Sequence, residues 1–189
     1  MPLRGRFSEI KNSDQGNLDL ISIGLVLGAV LVLFVSLFTT SWMTGSEDDT
    51  SYYFGLYGMG FEIHSEEFTF TGDYSEPDAG EIVEDAGSAG ATGAIFLWIA
   101  AIVATASLIF LCLNNIGVYT SKYGMIAAFA SGGIAILGAV IWLIMFSKNS
   151  FFEVVDLSPG ISFYLAIIGG LSCIGAGACD LISDRKQKV

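Results

Sequence analysis

The sequence predicts an all-α membrane protein: a four-helix transmembrane bundle carrying a small extracellular antiparallel β-sheet in its first outer loop. Three observations carry that expectation. The chain of 189 residues is 53% hydrophobic and only 14% charged, where a soluble domain carries about 25% charge. The apolar residues gather into four long runs and give a mean hydropathy of +0.65. The acidic residues gather elsewhere: residues 42–90 hold 12 of the 19 Asp and Glu, the single His, and no Lys or Arg. The polar mass left over is smaller than an ordinary domain of about 100 residues, so residues 1–189 read as one four-span membrane domain.

The first span covers residues 20–41. A helix rises ~1.5 Å per residue, so about 20 residues cross the ~30 Å hydrocarbon core. The run is longer than the ~7–15-residue apolar core of a signal peptide, and it reads as an uncleaved anchor. Gly24 and Gly28 make a GxxxG pair, the spacing that lets a neighbouring helix approach closely. Trp42 follows where an interfacial aromatic belongs.

Residues 42–90 form the first outer loop. Residues 45–50 read as an acidic turn. Phe61, Ile63, Phe68 and Phe70 alternate as the two arms of a β-hairpin, with residues 64–67 at its turn. Gly55, Gly58 and Gly60 fit a bent or bulged strand. From residue 71 to 90 the composition turns to Gly, Asp, Glu, Ser, Pro and Ala, and predicts a flexible loop.

The second span covers residues 94–114 and the third residues 123–146. Gly124, Ala128 and Gly132 recur every four residues, a small-residue packing stripe. The second outer loop, residues 147–159, is short. Ser158 and Pro159 read as N-cap and first-turn proline of the fourth span, residues 160–182. There Gly169, Cys173 and Gly177 repeat the packing stripe.

Lys and Arg set the orientation. Arg4, Arg6, Lys11, Lys122, Arg185, Lys186 and Lys188 fall on one side of a four-span chain, and only Lys148 falls on the other. Positive residues stay inside. The expectation is a multi-pass protein of the plasma membrane with both termini cytoplasmic and residues 42–90 outside.

Chemistry is sparse. The spans carry almost no ionisable side chain, which argues against a pump or coupled transporter. No phosphate-binding Gly loop stands at a strand-to-helix turn. His64 lies beside Glu66 and Glu67, but the sequence offers no nucleophile–base pair, so no enzyme, metal site or cofactor is expected. The acidic runs lack the ligand spacing of a calcium loop. Cys112, Cys173 and Cys179 all lie in or beside apolar runs and read as small packing residues.

The aromatic cluster remains. Trp42, Tyr52, Tyr53, Phe54, Gly55, Leu56, Tyr57 and Phe61 are the expected partner-binding residues. Exposed aromatic surface marks interaction sites, and buried aromatics would instead form the core of a small sheet. The acid-rich loop repels nucleic acid and anionic headgroups and attracts cations or a basic partner. A solvated acidic loop stays open as the plainer reading.

This layout resembles the claudin/PMP22-like four-span superfamily, with a large β-bearing first outer loop and a small second one. The family's first-loop motif, a Trp after the first helix and then Gly-Leu-Trp, has Trp42 and Gly55-Leu56-Tyr57 as its counterparts. The Gly-rich last span, with Tyr164 and Gly169–Gly170, is similar too. The family's first-loop cysteine pair is absent here. The resemblance implies cell adhesion, barrier formation, or protein–protein interaction beside a larger membrane protein. An oligomeric channel, or an auxiliary subunit of a channel or transporter, is the alternative. The bilayer, and a protein partner or second copy met through the first outer loop, are the partners implied.

Overall fold

The computed structural model describes residues 13–74, 80–118, 122–148 and 156–186, the side chains of 13–16, 80–85 and 186 excepted. The described residues form four long helices, with four strands between the first and second and one between the third and fourth. The helices are α1 (Ser13–Phe38), α2 (Gly80–Asn115), α3 (Tyr123–Phe146) and α4 (Ile161–Lys186). The strands are β1 (Met43–Glu47), β2 (Thr50–Phe54), β3 (Gly58–Ile63), β4 (Phe68–Asp73) and β5 (Leu157–Pro159). Among the described residues four helices are long and apolar enough to span a membrane, the length and composition that suggest a multi-pass membrane protein.

The helices pack as a closed ring in which α1 touches α2 and α4, and α3 touches α2 and α4. Small residues set the approach. A Cβ on Gly132 would crowd the Gly170 carbonyl oxygen at 2.5 Å, one on Gly169 would meet Leu33 at 2.9 Å, and one on Gly177 would meet the Phe129 ring at 2.9 Å. A Cβ on Gly124 would meet Leu111 at 3.0 Å. Ala128 and Cys173 are fully buried. These six of the expected packing residues therefore lie at helix contacts. Gly24 and Gly28 do not: a Cβ at either meets nothing within 4 Å. They lie on the outward face of α1, so the GxxxG reading fails within this chain. The contact face of α1 is carried by Ser22, Val26, Ala29 and Leu33 instead.

Four buried serines tie the ring. Ser22 Oγ donates to the Ala176 carbonyl at 2.9 Å and Ser36 Oγ to the Ser162 carbonyl at 2.8 Å, both joining α1 to α4. Ser107 Oγ donates to Gly124 at 2.7 Å and Ser131 Oγ to Ala100 at 2.8 Å, both joining α2 to α3. A buried hydroxyl with no partner costs several kcal/mol in an apolar medium, on the order of 2–7. Each finds the second lone pair of a helical carbonyl on its neighbour.

The sheet sits on one end of the bundle in the order β4-β3-β2-β1-β5, antiparallel throughout. Trp42 joins the two parts. Its N–H donates to Phe54 O at 2.8 Å, its carbonyl accepts from Gly160 N–H at 2.8 Å, and its indole N–H reaches Ser36 O at 2.8 Å. The ring meets Trp142 edge-on at 4.9 Å, Trp142 stacks on Phe146 at 5.1 Å, and Phe146 meets Phe54 at 5.1 Å. This aromatic column runs from the underside of the sheet into α3.

Three expectations need correction. The sheet is not confined to the first outer loop. Residues 157–159 add a fifth strand, with Gly45 opposite Leu157 and Met43 opposite Pro159. Ser158 is accordingly not a helix cap: its hydroxyl donates to Thr44 O at 3.3 Å, and the helix begins at Ile161. Second, residues 71–90 are not a loop. β4 runs to Asp73 and α2 begins at Gly80, with residues 75–79 outside the described set. Ala86 and Ala89 are buried, and a Cβ on Gly87 would touch Tyr74 at 3.0 Å. The Gly and Ala residues are thus a packing face that lets α2 rise past the bundle and lean on the sheet. Third, Gly58 and Gly60 mark no bulge. Registers run unbroken from Gly58↔Asp73 to Ile63↔Phe68. A Cβ on Gly60 would press on Phe70 O at 2.9 Å, so close cross-strand approach explains the glycine.

Candidate interaction surface on the sheet

Strand side chains alternate between faces, and here the alternation sorts them by chemistry. The registers Tyr52↔Phe61, Phe61↔Phe70 and Ile63↔Phe68 put Tyr52, Phe61, Ile63, Phe68 and Phe70 on one face, in line with Met43, Phe54 and Met59. The other face carries Thr44, Ser46, Ser51, Tyr53, Glu62, Thr69 and Thr71.

The apolar face has two halves. Next to the bundle, Met43 and Phe54 are 1% and 3% exposed, and Met59 and Tyr52 pack against the same core. Farther out, Phe61 stacks on Phe70 at 5.2 Å and contacts Phe68 at 6.1 Å. Among the described residues, Phe61, Ile63, Phe68 and Phe70 belong to neither core cluster. Phe68 is 49% exposed. The hairpin turn beside them carries the exposed Glu66 and Glu67, with Glu67 at φ 51°. The result is an aromatic patch with an acidic border.

The polar face is a hydrogen-bonded array. Tyr53 Oη donates to Glu62 Oε2 at 2.6 Å. That bond to a carboxylate pushes the phenol up to about 12. Ser51 Oγ and His64 Nε2 share a hydrogen bond of 3.0 Å, and His64 Nδ1 lies 3.7 Å from Glu62 Oε1. The β1–β2 turn is pinned to the β3–β4 turn by Ser65 N–H, which donates to Asp49 Oδ2 at 2.6 Å. Hydrogen bonds from Ser65 hold the Asp49 carboxyl below its ordinary value. A shallow groove of about 370 Å³ opens on this side between β1, β2 and β5, bordered by Ser46, Ser51, Tyr53, Asp156 and Ser158.

Ser51 beside His64 is a nucleophile–base pair that the sequence hides, because only the β2–β3 register brings residues 13 apart together. The Ser–His–Glu order is that of a hydrolase relay. The relay stands open to solvent, with the His64 and Glu62 side chains 54% and 44% exposed. The 3.7 Å from His to Glu exceeds a hydrogen bond. Among the described residues no three His, Cys, Asp or Glu converge as a metal site.

Of the eight expected contact residues, four lie inside. Trp42, Phe54 and Leu56 are 0%, 3% and 2% exposed, and Gly55 is buried against the Thr40 backbone. They anchor the sheet and cannot meet a partner. Tyr52, Tyr53 and Phe61 are half-buried, and Tyr57 is 44% exposed. The Tyr57 hydroxyl accepts from Trp98 Nε1 at 2.9 Å, at the flank of α2. Ile63, Phe68 and Phe70, which the expected set left out, share the outer part of this face with Phe61. Period-two alternation with Phe61 was the signal for them. No family model matches the chain and no curated protein matches it.

Proposed function

We propose that this is a non-catalytic, claudin-like protein of the plasma membrane, with both termini cytoplasmic, whose outer sheet binds a partner protein in adhesion, barrier formation or support of a larger membrane protein. The observation that carries the reading is the aromatic patch of Phe61, Phe68 and Phe70, which stays outside the core into which the same face sends Met43 and Phe54. Contiguous exposed aromatic surface with a polar border is the usual form of a contact site. The seven-to-one distribution of Lys and Arg supports the orientation.

Charge narrows the partner. Residues 42–90 carry 12 acids and no Lys or Arg, so two copies of this lobe repel each other. A partner with an apolar centre and a basic rim fits better, and its association weakens as salt rises. The relay at Ser51 is open to solvent, its groove is shallow, and the 3.7 Å from His64 to Glu62 leaves the imidazole unoriented, which supports a binding role over a catalytic one.

Photo-crosslinking tests this. A photoreactive residue at 61 or 68 is expected to give a reproducible protein adduct in native membranes, and one at 46, on the opposite face, is not. Recovery of only lipid adducts and monomer from 61 and 68 contradicts the proposal.

A further inference from the structure

A second concavity of about 520 Å³ lies on the flank of α2, where the β2–β3 turn and the end of β4 meet the helix, and its lining is mostly apolar. Ala91 and Ala94 form its floor, Tyr57, Tyr74 and Trp98 its walls, and Asp73 stands at its rim. Short side chains on α2 hollow it out. The walls are fixed rather than adaptable: Tyr74 Oη donates to Gly55 O at 3.1 Å, and Trp98 Nε1 donates to Tyr57 Oη at 2.9 Å.

Its depth follows from Trp98. That ring meets Phe34 at 5.8 Å and Phe38 at 5.9 Å, in the last turns of α1, so it marks the level at which α1 leaves the apolar layer. Ala91 is two turns higher, ~10 Å along the axis. The headgroup layer of one leaflet is about 5–7 Å thick. The concavity therefore covers the headgroup zone and the top of the chain zone. Downward it is continuous with Ile95, Ile99 and Ile102 on α2, which are 59%, 45% and 62% exposed and face outward from the bundle. Trp and Tyr joined by a hydrogen bond at this level are in the position such residues take at a membrane boundary.

We infer that this concavity is a lipid site, taking one lipid of the sheet-side leaflet whose headgroup carries an ammonium. The chain lies along Ile95 and Trp98, the polar linkage meets the Tyr57–Trp98 pair, and the headgroup reaches Asp73. Charge selects the headgroup. The rim carries a carboxylate, and residues 42–90 supply no Lys or Arg to receive an anionic lipid. The faces of Tyr57 and Tyr74 suit an ammonium, which aromatic rings attract. The inference rests on the membrane reading proposed above and is independent of the partner surface.

The test uses the full chain, purified in mild detergent, stripped of lipid and titrated with phosphatidylcholine or phosphatidylglycerol under native mass spectrometry. Wild type is expected to hold one phosphatidylcholine per protomer at least 10-fold more tightly than Ala91→Trp, which fills the floor. It is also expected to prefer phosphatidylcholine to phosphatidylglycerol, and Asp73→Asn, which keeps the shape, is expected to lose that preference. Equal retention in wild type and Ala91→Trp overturns the site. Should Ala91→Trp fail to fold, an unchanged headgroup preference in Asp73→Asn overturns it by itself. Alkaline extraction of native membranes separates the two readings: release of the protein sinks the membrane assignment, whereas an embedded protein without the lipid difference sinks only the site.

Discussion

The two halves of the sheet's apolar face share one alternation and meet different fates. Met43 and Phe54 press into the column of Trp42, Trp142 and Phe146, whereas Phe61, Phe68 and Phe70 press on one another. The inner half uses its aromatic area for stability. The outer half keeps area that the bundle leaves outside its core. The difference teaches that aromatic content alone does not say which rings a fold buries; distance from the helix ends does.

The sharpest way to break this contrast is to truncate one ring from each half. Trp42→Ala removes a fully buried ring and its indole hydrogen bond to Ser36 O, and is expected to cost roughly 3–5 kcal/mol. Phe68→Ala, 49% exposed, is expected to stay within about 1 kcal/mol. Thermal unfolding in detergent measures both, and equal losses would erase the distinction. The helix contacts offer a second contrast. Gly132→Val drives a branched side chain into the Gly170 backbone and is expected to destabilise by about 1–3 kcal/mol. Gly24→Val meets open space and is expected to change stability by less than about 0.5 kcal/mol. A large loss at Gly24 would restore the GxxxG as a contact within the chain.

The serine ties predict a smaller effect. Ser36→Ala is expected to cost about 0.6 kcal/mol, near the mean for hydrogen bonds between membrane helices. On the polar face, the Tyr53 phenol ionises near 10 in the unfolded chain and near 12 in the fold. Its contribution is whole below pH 10 and is lost as pH climbs from 10 to 12, because the unfolded state releases its proton first. Tyr53→Phe should flatten that alkaline limb in a denaturation series. Finally, a fluorophosphonate probe is expected to leave Ser51 unlabelled, and stoichiometric labelling abolished by His64→Ala would make the relay catalytic after all.

The four long apolar helices, the hairpin around residues 64–67 and six of the eight packing residues were legible because each rests on a local run or period. What escaped was non-local or compositional. β5 is three residues long and exists only through its pairing with β1, more than 100 positions away. The first turns of α2 read as loop because Gly and Ala there serve close packing against Leu56 and Tyr74. The Ser51–His64 pair depends on strand register. The Trp42, Phe54 and Leu56 side chains were placed in the right lobe and on the wrong side of it, since burial beside a helix end leaves no mark in a strand's own alternation.

Everything outside the bundle depends on which side of the bilayer the sheet occupies. The direct test is maleimide labelling of intact cells, using a membrane-impermeant reagent on single-cysteine variants at 64 and 186 with Cys112, Cys173 and Cys179 replaced. The expected result is that position 64 reacts in intact cells and position 186 only after lysis. Reaction at both before lysis, or at neither, contradicts the four-span orientation.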